Sequence, residues 1–338
     1  MIKTENIENP FYPLLFEPIY QYRIWGGRHL SNLLTAPLPD GPVGEAWLLS
    51  DRDGHESLVA NGSLKGQSIG QLFKQSQLQL MGKLEGIYNT FPILLKFLDA
   101  SELLSVQVHP SDNKKEYIST GEQSKTEAWV VLEAGDESKV YAGLKPNTTA
   151  DNLKESITNG TIEEHLSSFT PKPGDGVFIP AGTVHSLGGN VVVFEIQQNS
   201  DVTFRLYDWN HVDSKTGKPR PLQIDQAIAC IDFNQGELST VIPIIESNET
   251  VLRERLFQCD HFILWRLTGE SPFHVGVKDM PRVLVCIDGG GKLDHNNISY
   301  TIIKGDVLLL PAVVGSCLFR PNGAVNILEI AIPLSPKR

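Results

Sequence analysis

The chain has 338 residues, enough for about two domains of ordinary size, and its 41% hydrophobic content supports sizeable cores. A net charge of −11 argues against a nucleic-acid or membrane-surface protein, both of which need basic patches. Any anionic ligand must therefore be met by locally placed cations. The amino terminus, Met1 to Pro10, has acids and no apolar stretch, so it does not read as a signal peptide. No run approaches the ~18 apolar residues of a membrane helix. Cys230, Cys259, Cys286 and Cys317 are far apart and form no Cys-x-x-Cys, which fits small buried hydrophobes in a reducing compartment. These features together describe a soluble cytoplasmic globular protein.

Taken in order, the first strong pattern is Ser68 to Met81, where Ile69, Leu72 and Phe73 form one apolar face of a helix. Pro92-Ile-Leu-Leu-Lys96-Phe-Leu reads as a buried strand with one lone charge, an oddity resolved if Lys96 points into a cavity. In Ser105-Val-Gln107-Val-His109-Pro the three polar residues are two apart, so on a strand they share a face. Lys125 and Glu127 share a face in the same way, and Glu127 opens the apolar run Ala128 to Leu132. Asp151 to Ser168 suggests two short helices broken at Asn159-Gly160. A tight turn at Gly174-Asp175-Gly176 then enters a strand ending at Pro180, followed by Ala-Gly-Thr-Val-His185. Val191 to Ile196 is a further strand, after which Asp201 and Arg205 share a face of an extended segment. Leu222 to Ile231 reads as a helix and Arg282 to Ile287 as a strand. Gly289-Gly290-Gly291-Lys292 lacks Walker spacing and reads as a hairpin turn, not a nucleotide loop.

An internal repeat organises these elements. Gly174-Asp-Gly-Val-Phe-Ile-Pro-Ala181 aligns without gaps on Gly305-Asp-Val-Leu-Leu-Leu-Pro-Ala312, and Glu127 to Gly135 aligns on Pro281 to Gly289. Each copy is a strand ending in a Gly turn, then a Gly-Asp turn into a strand ending in Pro-Ala. The expected fold is mainly β, two cupin-type jelly-roll barrels with a few short helices. The expected division places a first domain in residues 1–235 and a second in residues 236–338. On this alignment Glu127 becomes Pro281 and His185 becomes Ser316, so the second barrel should be metal-free.

A single strand histidine is ordinarily a satisfied core residue. Gln107, His109, Glu127 and His185 are stronger jointly: one amide oxygen, two imidazoles and one carboxylate fall on barrel strands of the first copy alone. They form a ligand set for a divalent metal, with Zn²⁺ suited and Fe, Mn or Co open on ligand type. The neutral Gln107 leaves one formal negative charge against a dication, so the site would attract an oxyanion. His29, His55, His165, His211, His261, His274 and His295 lack such context and read as surface or core residues.

Gln-x-His-Pro, Lys-x-Glu-x-Trp, Pro-Ala-Gly-x-x-His and Asp201-Val-Thr-Phe-Arg205-Leu-Tyr-Asp-Trp occur here in an order and spacing that resemble type I mannose-6-phosphate isomerase. The likeness is to the short bacterial form without the inserted helical domain, and it runs from near Trp25-Gly26-Gly27 to the carboxyl end. One departure is Leu48-Leu49-Ser50 after Gly44-Glu45-Ala46-Trp47, where the family continues with more polar residues. The resemblance implies a two-cupin architecture, one bound zinc, and interconversion of mannose 6-phosphate with fructose 6-phosphate. On residues alone Arg205 reads as a surface ion pair; the resemblance makes it the family's catalytic arginine, stabilising an enediolate or phosphate. Asp201 stands either to orient Arg205 or to transfer protons. Lys125, beside the ligands, is a candidate proton shuttle, Lys96 a cavity cation, and Ser105 a donor to phosphate or a sugar hydroxyl. Which of Lys96, Lys125 and Asp201 is the base stays open, as does a homodimer.

Two other functions compete. A metal-dependent dioxygenase cupin would favour redox-active iron or copper with a His-x-His pair, whose first position here is Gln107; a different sugar-phosphate isomerase is its enzymic neighbour. A non-catalytic sugar-binding cupin would not need Lys125, Asp201 and Arg205 beside the ligands.

Overall fold

Short apolar runs bounded by Gly, Pro and Asp fold into antiparallel sheets, since alternation along each strand buries one face. The computed structural model describes residues 11–334; the segment Met1 to Pro10 lies outside the described residues. The chain forms two compact units. One comprises Pro18–Arg52 and Ile93–Pro243, the other the chain up to Glu17, Asp53–Pro92 and the chain from Ile244 onward. This interleaved division replaces the linear one at residues 235 and 236. The physical reason is pairing: Leu14–Leu15 adds a strand beside Val307–Leu310, and the Ala312 amide donates to the Leu80 carbonyl at 2.9 Å. Both early segments thus close on the later barrel.

Each unit holds an eight-stranded jelly roll. In the first, one sheet orders Ile93–Ala100, Val191–Gln198, Glu127–Ala134 and Gly176–Ile179, extended by Glu45–Leu49 and Ile19–Gln21. Its facing sheet orders Val106–Val108, His185–Gly188, Lys139–Leu144 and Leu166–Phe169, extended by Phe204–Tyr207. The second unit repeats this order. Ile263–Gly269, Val325–Ala331, Arg282–Asp288 and Val307–Leu310 face Phe273–Val275, Cys317–Pro321, Gly290–His295 and Ile298–Ile303. Phe273, Leu284, Leu293, Leu308, Phe319 and Ile327 fill its interior.

Strand register refines the repeat. Ile179 pairs with Glu127, and its counterpart Leu310 pairs with Arg282, so Arg282 and not Pro281 replaces Glu127. Gln107 pairs with His185 where Val275 pairs with Cys317, so Cys317 and not Ser316 replaces His185. The loop after Pro311 is one residue longer than the loop after Pro180, which a gapless alignment misses.

The helices also differ in detail. The Ser68 capping box starts Ile69–Gln75 as expected, but Ser76 leaves helical geometry and a second helix, Gln77–Met81, follows. Ala150–Asn159 ends on Gly160 in the left-handed region. Beyond it come a 3-10 turn, Ile162–His165, and the strand Leu166–Phe169 instead of a second α-helix. Ile224–Cys230 lies within the expected span. With Ala150–Asn159 it packs Leu153, Ala227 and Cys230 into one core with Val106, Val108 and Tyr141.

Phe319 is fully buried in the second barrel. Phe319→Ala should lower unfolding free energy by about 3–5 kcal/mol, read by denaturant titration; a change within experimental error would contradict this packing.

Candidate metal centre and cleft

The site follows from alternation along three inward-facing rows. Lys96, Leu98 and Ala100 form one; Glu127, Trp129 and Val131 another; Gln197, Glu195, Val193 and Val191 the third. Each row runs from polar to apolar, and the apolar ends join Val177, Ile179 and Leu187 in a core. The polar ends collect at one end of the barrel.

There His109, Glu127 and His185, each at most 1% exposed, bring one donor atom apiece within 4.8 Å of one another. His109 Nδ1 lies 2.8 Å from the Val202 carbonyl and His185 Nδ1 2.9 Å from the Thr183 carbonyl. A carbonyl only accepts, so each Nδ1 carries the proton and each neutral Nε2 presents a lone pair. Those Nε2 atoms face Glu127 oxygens at 3.2 and 3.3 Å. Lys125 meets Glu127 Oε2 at 2.8 Å, while the buried Oε1 has no hydrogen-bond partner. Lys125 and the Gln107 amide each meet one of these nitrogens from the side, yet two imidazole lone pairs and a carboxylate oxygen still converge within 4.8 Å, a donor set that fits a metal.

Burial and the adjacent Lys125 charge push the His109 imidazole from its usual 6.5 down to about 3. Burial likewise lowers His185. Burial alone would raise Glu127, but the Lys125 charge and the neighbouring imidazoles hold it well below the usual carboxylate range. Gln107 turns its Nε2 towards His185 Nε2 at 3.2 Å, while its Oε1 accepts from Ser105 at 3.3 Å. As a ligand its amide would be turned over, presenting the oxygen. Ser105 is buried behind Gln107 and does not line the cleft.

Beside the centre opens a cleft of about 480 Å³ lined by Gln107, Lys96, Lys125, Asp201 and Arg205. Lys125 Nζ lies 2.8 Å from Glu127 Oε2 and 3.1 Å from His109 Nε2. Lys96 Nζ reaches Glu195 Oε1 at 3.2 Å and Glu45 Oε2 at 3.9 Å. Those carboxylates overcome its burial and raise its pKa, so it is a fixed cation.

Glu45, Glu195, Arg23 and Arg220 also line the cleft, although the sequence pattern does not single them out. Glu195 had the signal that exposed Lys96, a lone charge inside an apolar run. Arg23 and Arg220 sit in irregular segments without periodicity. Gly44 gives Arg23 its place, because a Cβ there would lie 2.4 Å from Arg23 Cβ.

The three arginines differ in satisfaction. Arg23 forks onto Glu45 at 2.9 and 3.1 Å, and Arg220 forks onto Asp208, with Nε at 2.8 Å. Arg205 Nε is buried with no hydrogen-bond partner. Burial and nearby Arg220 lower the Arg205 pKa, the signature of a guanidinium short of counter-charge. The second barrel offers no equivalent: Cys317, Val275 and Arg282 take the corresponding positions. Its carboxylate Glu329 is bound by Arg253 and the Gly276 amide, both at 2.8 Å. His109, Glu127 and His185 are the single candidate metal group among the described residues.

Fold and site define a cupin with one buried three-donor centre beside a cation-lined cleft. The family model for the phosphomannose isomerase type I catalytic domain matches residues 14–137. Mannose-6-phosphate isomerase ManA of Bacillus subtilis (strain 168) is 35% identical over 307 residues, 90% of this chain and 94% of that relative. A mannose-6-phosphate isomerase of Streptococcus mutans is 31% identical over 310 residues, 91% of this chain and 95% of that relative. The crystal structure of the mannose 6-phosphate isomerase from Bacillus subtilis superposes with a TM-score of 0.87 at 28% identity, covering 95% of this chain and 100% of that one. A zinc-bound mannose 6-phosphate isomerase, 16% identical, shares the fold at a TM-score of 0.72, covering 95% of this chain and 100% of that one. The chain belongs to the type I phosphomannose isomerase family. No helix among the described residues is long and apolar enough to cross a membrane.

Because folded His109 stays neutral to about 3 while the unfolded residue protonates near 6.5, the unfolded state binds more protons across that interval. Stability of the metal-free protein should therefore be fully present above pH 6.5 and fall as pH drops towards 3. Glu127, also depressed, adds to the loss at the acid end. Melting temperatures of metal-stripped protein across this range check the sign; a rise on acidification would contradict it.

Proposed function

We propose that this protein interconverts D-mannose 6-phosphate and D-fructose 6-phosphate, and that Gln107, His109, Glu127 and His185 hold one zinc ion per chain. The observation that carries the reading is the pairing of a donor set that calls for a cation with an unsatisfied guanidinium, Arg205, in the adjoining cleft. Two imidazoles, a carboxylate and an amide oxygen suit zinc, and a zinc-bound mannose 6-phosphate isomerase has this fold. When bound, the metal would supply Lewis acidity towards sugar oxygens.

The chain's own residues do the rest. Arg205 offers a planar, permanently charged fork to paired oxygens, those of a phosphate or of the cis-enediol(ate) that aldose–ketose isomerisation requires. Lys96, held charged by Glu195 and Glu45, adds fixed positive potential. Lys125 and Asp201 stand at the cleft wall as the groups able to exchange protons for ring opening and for transfer between the neighbouring carbons. Ser105 holds the Gln107 amide and acts through it. The four free cysteines fit a reducing, cytoplasmic setting.

Chelation should abolish conversion of mannose 6-phosphate, followed by coupled detection of fructose 6-phosphate, and added zinc should restore it. A zinc-loaded, folded sample without activity would remove the substrate assignment. Arg205→Ala should lower kcat by about 100- to 1000-fold, the loss typical of one preorganised oxyanion donor. A change in KM alone would instead make Arg205 a ground-state binding residue.

A further inference from the structure

The turn that presents Asp201 is held from outside itself. It leaves the strand Val191–Gln198 through Asn199 and Ser200, before the strand Phe204–Tyr207 begins. The Ser200 hydroxyl and the Asp201 amide both donate to one oxygen of Glu122, each at 3.2 Å. Arg52 grips the same carboxylate: Nη1 donates to Oε2 at 2.9 Å and Nη2 donates to Oε1. Arg52 Nη1 also reaches the Asn199 carbonyl at 3.2 Å, and Asn199 Nδ2 donates to the Asp51 carbonyl at 3.1 Å. Glu122 is thus the common acceptor that ties the turn to the Arg52 segment.

The loop bearing Glu122 continues into Lys125 and makes further bonds to the end of the strand Val191–Gln198 and to the turn. The Thr126 amide donates to Gln198 Oε1 at 2.9 Å, and Gln198 Nε2 donates to Ser124 Oγ at 3.2 Å. The Ser200 hydroxyl also reaches the Gln123 carbonyl at 2.8 Å. Two cleft residues, Lys125 and Asp201, are therefore presented by segments stitched to each other, while Glu122 itself does not line the cleft.

We propose that Glu122, clamped by Arg52, is a positioning residue for the isomerisation: it fixes the turn that aims Asp201 relative to Lys125. Only a carboxylate suits the place. It accepts two bonds from Arg52 and one from the Asp201 amide, and shares the single Ser200 hydroxyl proton with the Gln123 carbonyl. An amide side chain would turn an N–H towards one of these donors. The inference rests on the isomerase reading above.

The test compares zinc-loaded wild type with Glu122→Gln, Glu122→Ala, Arg52→Ala and the Arg52→Ala/Glu122→Ala double variant. Misplacing a proton-transfer group should lower kcat per bound zinc by about 10- to 100-fold. KM should stay within about twofold, and the double variant should be no slower than the slower single one. Unchanged kcat per zinc, or a rise in KM without loss of kcat, would overturn the proposal. Amide hydrogen exchange at Ser200 and Asp201 is expected to quicken in the Glu122 variants. That readout separates the two readings: should the wild type prove not to be an isomerase, exchange still reports on the clamp, and unaltered exchange overturns it.

Discussion

Everything at the polar end of the first barrel depends on one electrostatic fact: a buried carboxylate, Glu127, faces two imidazole nitrogens that carry no proton. Each imidazole is fixed in that state by a backbone carbonyl on its far side. Folding has therefore placed three electron-rich atoms together where water cannot screen them. Lys125 offsets part of the charge from one side, but it cannot stand between all three donors. A divalent cation can, and the loss of protons that metal binding ordinarily requires has already been met by burial.

The same logic extends into the cleft. Glu45 and Glu195 neutralise Lys96, Glu45 also holds Arg23, and Asp208 holds Arg220. These pairs keep a dense set of charges compatible with folding, since a buried charge left alone is strongly destabilising. Arg205 is the exception: its buried Nε has no hydrogen-bond partner. An acidic protein thereby presents a local positive field to a phosphorylated sugar, with selectivity resting on position and not on net charge.

Periodicity decides how much of this the sequence reveals. Residues on regular strands could be assigned a face: Gln107, Lys96 and Glu127 all lie where alternation put them, and the Gly-Asp…Pro-Ala repeat announced two barrels. Residues off regular strands could not. Arg23 and Arg220 gave no periodic signal, and Glu122 acts through bonds to Ser200 and Asp201 nearly eighty positions away. The interleaving of Asp53–Pro92 with the second barrel was hidden for a related reason, because sequence proximity suggested the wrong neighbour. Register was the subtlest point. A single extra loop residue moved the counterpart of His185 from Ser316 to Cys317, and only pairing across strands reveals it.

The repeat also serves as an internal control. Two barrels of the same strand order share a frame, yet Val275, Arg282 and Cys317 stand in one where Gln107, Glu127 and His185 stand in the other. The fold alone does not make the site; a few substitutions at inward-facing positions do. Crystals soaked in zinc and measured on both sides of the zinc absorption edge test this most directly. One anomalous peak per chain is expected, bounded by His109, Glu127 and His185 with Gln107 turned towards it. A peak in the second barrel, or none between these side chains at saturating zinc, would contradict it.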